Sequence, residues 1–486
     1  MTTVPPDTTP EELDAALTRA SAAAPLLAGL APGERAALME AVATALDEAA
    51  DELVPLAMEE AHYPEARCRG ELGRTTFQLR EFAELLRDGS YLEVAVDPAD
   101  PEWGTPRPDV RRVLVPLGPV VVFGASNFPF AFATAGGDTA SALAAGCPVV
   151  AKAHPGHPKL AQRTAEIVVA ALAGAGAPEG AFGLVHGVEA GRQAVLHPLT
   201  RAVGFTGSIP GGRALFDLAA SRPDPIPFYG ELGSVNPVFV TRAAMAARGD
   251  EVLKGYAESA NMGAGQFCTK PGVVFVPEDT KLDALVEDFA GRGASSLLND
   301  RVAEGFDRVL GGLVEHPATE VLVRGTRTGD GWSPSLLRTD LDSLLENADS
   351  LLEECFGPAT LLVTYADERR LLEASGVLKG QLTVTVHGEE DDAVAPALLA
   401  LGASVAGRVV WNGWPTGVAV THAMTHGGPY PATTAPLHTS VGTTAIRRFL
   451  RPVTYQSVPQ ALLPAVLRDD NPLGVPRRIN GAHPTV

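Results

Sequence analysis

The sequence predicts an α/β protein organised around a parallel sheet with helices on both faces. Between Pro119 and Ser221, short apolar runs alternate with helical segments, an order that makes neighbouring strands parallel. The runs, such as Val120–Phe123, are apolar at every position rather than at alternate ones, as strands covered on both faces are.

The chain divides into three parts. The first is helical: Leu38, Val42, Leu46, Ala49, Leu53 and Leu56 recur at spacings of three and four and form one apolar stripe. Asp51 is expected to cap a new helix, with Pro55 in its first turn. A further helix runs from about Arg67 to Arg87 and carries Arg67, Arg74, Gln78 and Arg80. After the Asp- and Pro-rich stretch 97–108, Val110–Pro116 reads as a strand.

The alternating part follows. Strands are expected at Val120–Phe123, Pro148–Lys152, Phe182–His186 and Ala202–Thr206. Helices are expected at Phe132–Ala145 (ended by Gly146), Ala161–Ala173, Ala190–Leu196 and Gly211–Ser221. Sheets of this kind bind ligands at the C-terminal ends of their strands. Beyond Glu231 the alternation is less regular, with strands at Val273–Val276, Glu320–Val323, Ala359–Val363 and Gln381–Val386. Leu282–Arg292 and Asp392–Leu401 read as helices, and a last helix after Val441 leads into a Pro-rich tail.

A chain of 486 residues is long enough for two or three cores, and 45% hydrophobic with 20% charged residues is a globular composition. A formal charge of −20 argues against nucleic acid or an anionic membrane as partner, so an acidic small substrate would need local arginines. Cys68, Cys147, Cys268 and Cys355 lie far apart, with no CxxC pair and no adjacent His cluster. Neither a disulfide framework nor a metal site is expected. The N-terminus lacks the basic and apolar regions of a signal peptide, and no apolar run reaches membrane-spanning length. The expected location is the reducing cytoplasm.

The chemistry gathers in a few segments. Cys268 follows Gly263, Gly265 and Gln266, a backbone that lets a substrate approach and points N–H groups at an oxyanion. Most cysteines simply pack in cores, and the other three lack this context. Glu231 sits between Tyr229-Gly230 and Leu232-Gly233, a poor place for a surface charge. Partial burial there would raise its pKa towards a useful base. Asn127, in the loop after the first sheet strand, reads locally as a turn residue before Phe128-Pro129. Gly207 and Ser208 close a strand and open a helix, where backbone amides suit a phosphate. Gly174, Gly176 and Gly180 follow a helix and precede a strand, the wrong order for a dinucleotide fingerprint, and read as a loop.

Taken in order, Ser126-Asn127-Phe128-Pro129, Phe205-Thr206-Gly207-Ser208, Glu231-Leu232-Gly233-Ser234, Gly265-Gln266-Phe267-Cys268 and Glu354-Cys355-Phe356-Gly357-Pro358 resemble the aldehyde dehydrogenase superfamily. The resemblance implies the fold of that family: a Rossmann-like dinucleotide-binding domain, a catalytic domain and a small oligomerisation arm. The corresponding division is 1–231 with an arm strand at about 108–117, then 232–440, then a return and tail at 441–486.

Within the resemblance Cys268 matches the nucleophile, Glu231 the water-activating base and Asn127 the oxyanion donor. Lys152, Gly207, Ser208, Glu354, Phe356, Ser126 and Leu232 match cofactor neighbours, and Phe128 lines the substrate path. Ser126 replaces an aromatic residue, and Ser234 a glycine. Pro155 stands where a glutamate often holds the 2′-hydroxyl of NAD. Lys152, His154 or His157 could then attract a 2′-phosphate, which favours NADP, with NAD possible. The runs 117–155 and 265–272, with 70–80, 426–431 and 467–474, are similar to the branch acting on α-ketoglutaric semialdehyde. That substrate needs a cation for its carboxylate, and Arg74 is the candidate, with Arg67 seven residues earlier on the same face. The alternative is that Arg74 pairs with Glu71 or another surface acid. A homodimer or homotetramer is implied. A CoA-acylating enzyme, a cysteine hydrolase drawing on His422 or His426, and a non-catalytic relative are the rival readings. The intact Glu231 argues against the CoA-acylating rival.

Overall fold

A computed structural model describes residues 4–329 and 331–482; the ends of the first and third expected parts, 1–3 and 483–486, lie outside the described residues, as does 330. The first sheet is parallel, in the spatial order Phe182–Val185, Val149–Lys152, Val120–Phe123, Ala202–Thr206, Phe228–Glu231. The chain grows outward on one side of Val120–Phe123 and then returns to the other. The loops after Phe123 and Thr206 therefore diverge and leave a crevice at a topological switch point. Burial of both faces is explicit: Val120 and Val122 pack with the helices Pro32–Glu48 and Glu65–Asp88, while Val121 and Phe123 pack with Leu13, Leu17 and Phe228.

A second sheet has the order Glu320–Val323, Ser335–Asp340, Ala359–Tyr365, Val273–Pro277, Val238–Val240, Gln381–His387, Ala406–Trp411. Its pairings are parallel except at the first strand, which runs against Ser335–Asp340. The chain leaves the first sheet at Glu231 and enters the second at Val238. In consequence the C-terminal edge of one sheet opens towards the N-terminal edge of the next, and the loops on both edges meet there.

A third, four-stranded sheet joins the two ends of the chain. Val110–Pro116 pairs antiparallel with Val94–Asp97 on one side and Leu450–Gln456 on the other, and Arg477–Ile479 lies parallel to Val94–Asp97. Among the described residues no helix is long and apolar enough to cross a membrane.

Several local expectations change. The helix expected from Phe132 begins at Gly137, because Gly136 is extended and the Gly137 N–H turns back to Ala131 O at 2.9 Å. Asp51 does not cap its helix. The cap position is Ala49, and the Asp51 carboxylate in the first turn meets Arg69 at 3.0 Å. Pro55 lies inside that helix rather than in its first turn. The helix expected at Asp392–Leu401 is Ala395–Val405. After Val441 the chain makes the 3-10 turn Thr443–Phe449, and then the unforeseen strand Leu450–Gln456. Pro452 hides that strand from a propensity reading, yet the ladder tolerates it because the strand is an edge.

The C-terminal segment is fastened to the first sheet's helix Gly137–Ala145 by a buried ion pair, Arg448 Nη1 to Asp138 Oδ1 at 2.7 Å, with Arg448 Nη2 on Ser141 at 3.0 Å. Burial pushes the Asp138 carboxyl up, and the Arg448 charge opposes that. In Arg448→Met the carboxylate is left buried and unpaired. Its urea unfolding midpoint should fall by the equivalent of about 3–5 kcal/mol.

Candidate active site

Where the two sheet edges meet, the structure brings together three titratable side chains far apart in sequence. Cys268 Sγ lies 3.6 Å from His426 Nε2. The same nitrogen is 2.9 Å from Glu231 Oε1. Ser440 Oγ donates to the other oxygen, Glu231 Oε2. Glu231 ends the last strand of the first sheet, whereas Cys268 precedes the central strand Val273–Pro277 of the second. Glu231 and His426 are fully buried and Cys268 is half-buried, so the thiol is the member a substrate can reach.

The electrostatics correct one expectation. Burial by itself would raise the Glu231 carboxyl. The His426 charge and hydrogen bonds from His426, Ser440 and Cys268 outweigh it, and the net direction is down. The Cys268 thiol is pushed well up, first by burial and then by the Glu231 charge beside it. Both directions describe one arrangement: the proton rests on sulfur and the charge on the carboxylate. This cluster can therefore take the thiol proton only as the sulfur attacks.

Asn236 and Lys270, which sequence reasoning passed over, hold the thiol loop, and Ser234, noted there only as a departure from glycine, ties the segment beside it. Asn236, with a positive φ of 45°, donates through Nδ2 to Cys268 O at 2.7 Å and Lys270 O at 2.9 Å. Ser234 Oγ lies 2.9 Å from Gln381 Oε1 and accepts from Leu382 N at 3.0 Å. Serine in place of glycine thus supplies a hydroxyl that ties this segment to the strand Gln381–His387. Lys270 Nζ donates to Gly357 O at 2.9 Å and Ala359 O at 2.8 Å, and also to Cys355 O, which ties the thiol loop to the Glu354–Gly357 turn. Gly265 has φ 65°, and any side chain there would overlap Gly357 O. The only available signal for these roles was proximity to motifs already noticed.

Asn127 is buried against the same loop, its Nδ2 donating to Gln266 O at 3.1 Å. A carboxamide nitrogen carries two hydrogens, so one stays available for an oxyanion. Arg67 holds this residue in place, Nη2 donating to Asn127 O at 3.0 Å while its guanidinium covers the Tyr63 and Phe267 rings. Phe128 packs edge-on to Phe267 and Phe132, which gives the approach an aromatic wall.

Arg74 does not form the surface pair considered as its alternative. Its guanidinium is half-buried beside the Phe132 ring, Nη2 donates to Val418 O at 3.1 Å, and Nη1 is buried without a partner among the described residues. Burial depresses it, while the Glu71, Cys268 and Glu231 charges act the other way. Arg408 also feels the Cys268 charge, but its guanidinium already binds Thr383, Pro415 and Gly417. Arg74 therefore has a donor to spare where Arg408 has none; Arg67 has one too, its Nη1 likewise buried without a partner among the described residues.

On the opposite side, Ser208 caps the helix Ile209–Ser221 and is exposed, so the helix N-terminus opens at the crevice. Gly207 N donates to Glu231 O at 3.0 Å. Gly212 sits so close to Leu232 that a side chain would overlap it. Lys152 is buried at its strand end and pushed down to about 8 by burial. His154 and His157 do not serve as cations. Burial holds both down, and His157 Nε2 faces Ala125 O at 2.9 Å. Arg301, unnoticed in the sequence, begins the helix Asp300–Glu315 close enough for its charge to depress Lys152 and His154. Ser126 is half-buried, as is Phe356, whose ring packs against the first sheet's core. Glu354 reaches across to the Gly233-Ser234 backbone, and burial raises it to about 7.

The sequence profile of the aldehyde dehydrogenase family matches residues 1–430. The α-ketoglutaric semialdehyde dehydrogenase of Acinetobacter baylyi is 44% identical over 92% of this chain and 87% of its own length. A second α-ketoglutaric semialdehyde dehydrogenase, from Azospirillum brasilense, matches at 44% over the same shares, 92% and 87%. Among solved structures, the glyceraldehyde-3-phosphate dehydrogenase of Methanocaldococcus jannaschii, complexed with NADP, superposes with a TM-score of 0.79 at 20% identity, covering 93% of this chain and 95% of that one. The likeness at that identity is one of fold.

Asn236→Gly keeps the backbone conformation and removes the amide, so kcat should fall about 10- to 100-fold as the thiol loses its fixed position. Stopped-flow measurement of the first turnover would show it. Glu354 gives a pH signature. Its folded pKa lies above the unfolded one, so between about pH 4.5 and 7 the native state binds the extra proton, and stability declines as pH rises. Glu354→Gln should remove that decline, so its thermal-midpoint advantage over the parent protein grows from pH 5 to pH 8.

Proposed function

The chain belongs to the aldehyde dehydrogenase family, and on that premise we propose that it oxidises α-ketoglutaric semialdehyde to 2-oxoglutarate through a Cys268 thioester. The aldehyde oxidoreductase activity comes with the family. The substrate is supported by two relatives of that name at 44% identity and by the spare donor of Arg74 near the thiol. The observation that carries the chemistry is the closed cluster of Cys268, His426 and Glu231 beside the Asn127 amide.

Cys268 Sγ adds to the aldehyde carbon as its proton passes to the His426–Glu231 pair. The developing oxyanion takes the second N–H of Asn127 and the Cys268 backbone N–H. A bound NAD(P) would supply the hydride acceptor that turns the thiohemiacetal into the thioester. Once the thiol proton has left the pair to solvent, Glu231, ionised because His426 and Ser440 hold it so, draws a proton from the water that cleaves the thioester. Arg74 Nη1 binds the distal carboxylate and orients the chain along the Phe128–Phe132 wall.

The residues present fit a dinucleotide. The open helix end at Gly207 and Ser208 suits the pyrophosphate, and Glu354, Phe356, Ser126 and Leu232 would surround the nicotinamide end. We read NADP as preferred over NAD. Lys152 and Arg301 supply positive charge, and Pro155 removes the carboxylate that would repel a 2′-phosphate. The four-stranded sheet is read as the arm through which copies of the chain form a dimer or tetramer in the cytoplasm.

The test follows reduced-cofactor absorbance with NADP and NAD in parallel. Cys268→Ala should abolish turnover of every aldehyde. Arg74→Met should raise KM for α-ketoglutaric semialdehyde at least about tenfold and leave an uncharged aliphatic aldehyde within about twofold, as loss of a charged hydrogen bond requires. Equal effects on both substrates would remove Arg74 from carboxylate binding.

A further inference from the structure

We infer that Cys268, His426 and Glu231 form a site for a thiophilic divalent cation such as Zn2+, and that the ion would hold the enzyme inactive. The inference rests on the cluster's geometry and stands apart from the choice of aldehyde. The three candidate donor atoms, a thiol sulfur, an imidazole nitrogen and a carboxylate oxygen, all lie within 4.8 Å of one another. Three such donors and an open fourth position are what a tetrahedral zinc site requires.

The spacings support the fit. Zinc bonds of about 2.3 Å to sulfur and about 2.0–2.1 Å to nitrogen or oxygen, at the tetrahedral angle, place sulfur about 3.6 Å from nitrogen and nitrogen about 3.4 Å from oxygen. Cys268 Sγ and His426 Nε2 are 3.6 Å apart, already at the first distance. His426 Nε2 and Glu231 Oε1 are 2.9 Å apart and would open by a few tenths of an ångström. Ser440 donates to the remaining Glu231 oxygen, as an outer-shell partner of a ligating carboxylate does. The fourth position faces the substrate side, because Cys268 is the half-exposed member of the three.

Two features oppose binding and decide its strength. Among the described residues His426 Nδ1 is buried without a partner, so a metal-bound imidazole would carry an unsatisfied N–H. The Arg74 and Arg408 charges are felt at Cys268 and also disfavour a cation. The site is therefore one that fills and empties with the free-metal level rather than a permanent structural centre. On binding, the thiol proton leaves to solvent and the sulfur lone pair goes to the metal. The nucleophile and the water-activating carboxylate are then both engaged, so neither acylation nor hydrolysis can start.

Chelator-treated full-length protein titrated with Co2+ reports the site without any aldehyde. One equivalent per chain should give a near-ultraviolet thiolate-to-cobalt band and intense visible bands of tetrahedral cobalt. Zn2+ should displace the cobalt, stop dehydrogenase turnover at the same stoichiometry and shield Cys268 from iodoacetamide, and chelator should reverse all three. Cys268→Ser should lose the thiolate band. His426→Asn and the isosteric Glu231→Gln should each weaken binding at least about tenfold. Absence of the thiolate band, or metal binding unchanged in both His426→Asn and Glu231→Gln, overturns the site. Since the cobalt spectrum needs no substrate, that failure is distinguishable from a wrong substrate assignment.

Discussion

The side chain of Asn236 is where the two halves of the site are fastened to one another. It sits in the short crossing between the last strand of the first sheet and a central strand of the second, in a left-handed conformation. From there one amide reaches the backbone carbonyls of Cys268 and Lys270. Three of the site's segments are tied at or near that amide: Glu231 upstream of it, the thiol across from it, and the Glu354 turn held through Lys270. Buried hydrogen bonds of this kind are individually modest, but leaving their partners unsatisfied is costly, which makes the arrangement all-or-none.

This placement explains why the site is drawn from two sheets. A parallel sheet exposes its loops at the strand ends, and the first sheet's C-terminal ends give Asn127, Lys152, Gly207 and Glu231. The second sheet gives its N-terminal ends instead, with Ser234, Cys268 and Glu354 each just before a strand. The edges face each other, so cofactor-side and thiol-side residues approach from opposite directions. The exposed helix end at Ser208 belongs to the cofactor side, and Arg74, whose charge is coupled to Cys268, to the thiol side.

The charges in that crevice divide by burial. His426 and Ser440 keep Glu231 ionised in a place that would otherwise neutralise it, and the same carboxylate keeps the thiol protonated. Histidines that look cationic in sequence, His154 and His157, are held neutral by burial. Positive charge on the cofactor side falls to Lys152 and Arg301. Local sequence cannot separate these cases, because what distinguishes them is desolvation.

The sequence by itself determined the class of the fold, most strand positions and the five segments that carry chemistry. Such features are local: apolar periodicity sets a strand, and a glycine-rich loop or strand-to-helix junction is contiguous. Val110–Pro116, Val120–Phe123 and Ala202–Thr206 were legible to the residue. Only the tertiary structure decided the rest. Cys268, Glu231 and His426 were each candidates in the sequence, but His426 lies 158 positions from Cys268 and no spacing rule joins them, so nothing placed the three together and no metal site was expected. Ser234 looked like a mild departure until the fold set Gln381 against it. The strand Leu450–Gln456 was hidden because its partner lies more than three hundred residues away. A pairing partner, a burial depth and a neighbouring charge are properties of packing, and packing is long-range.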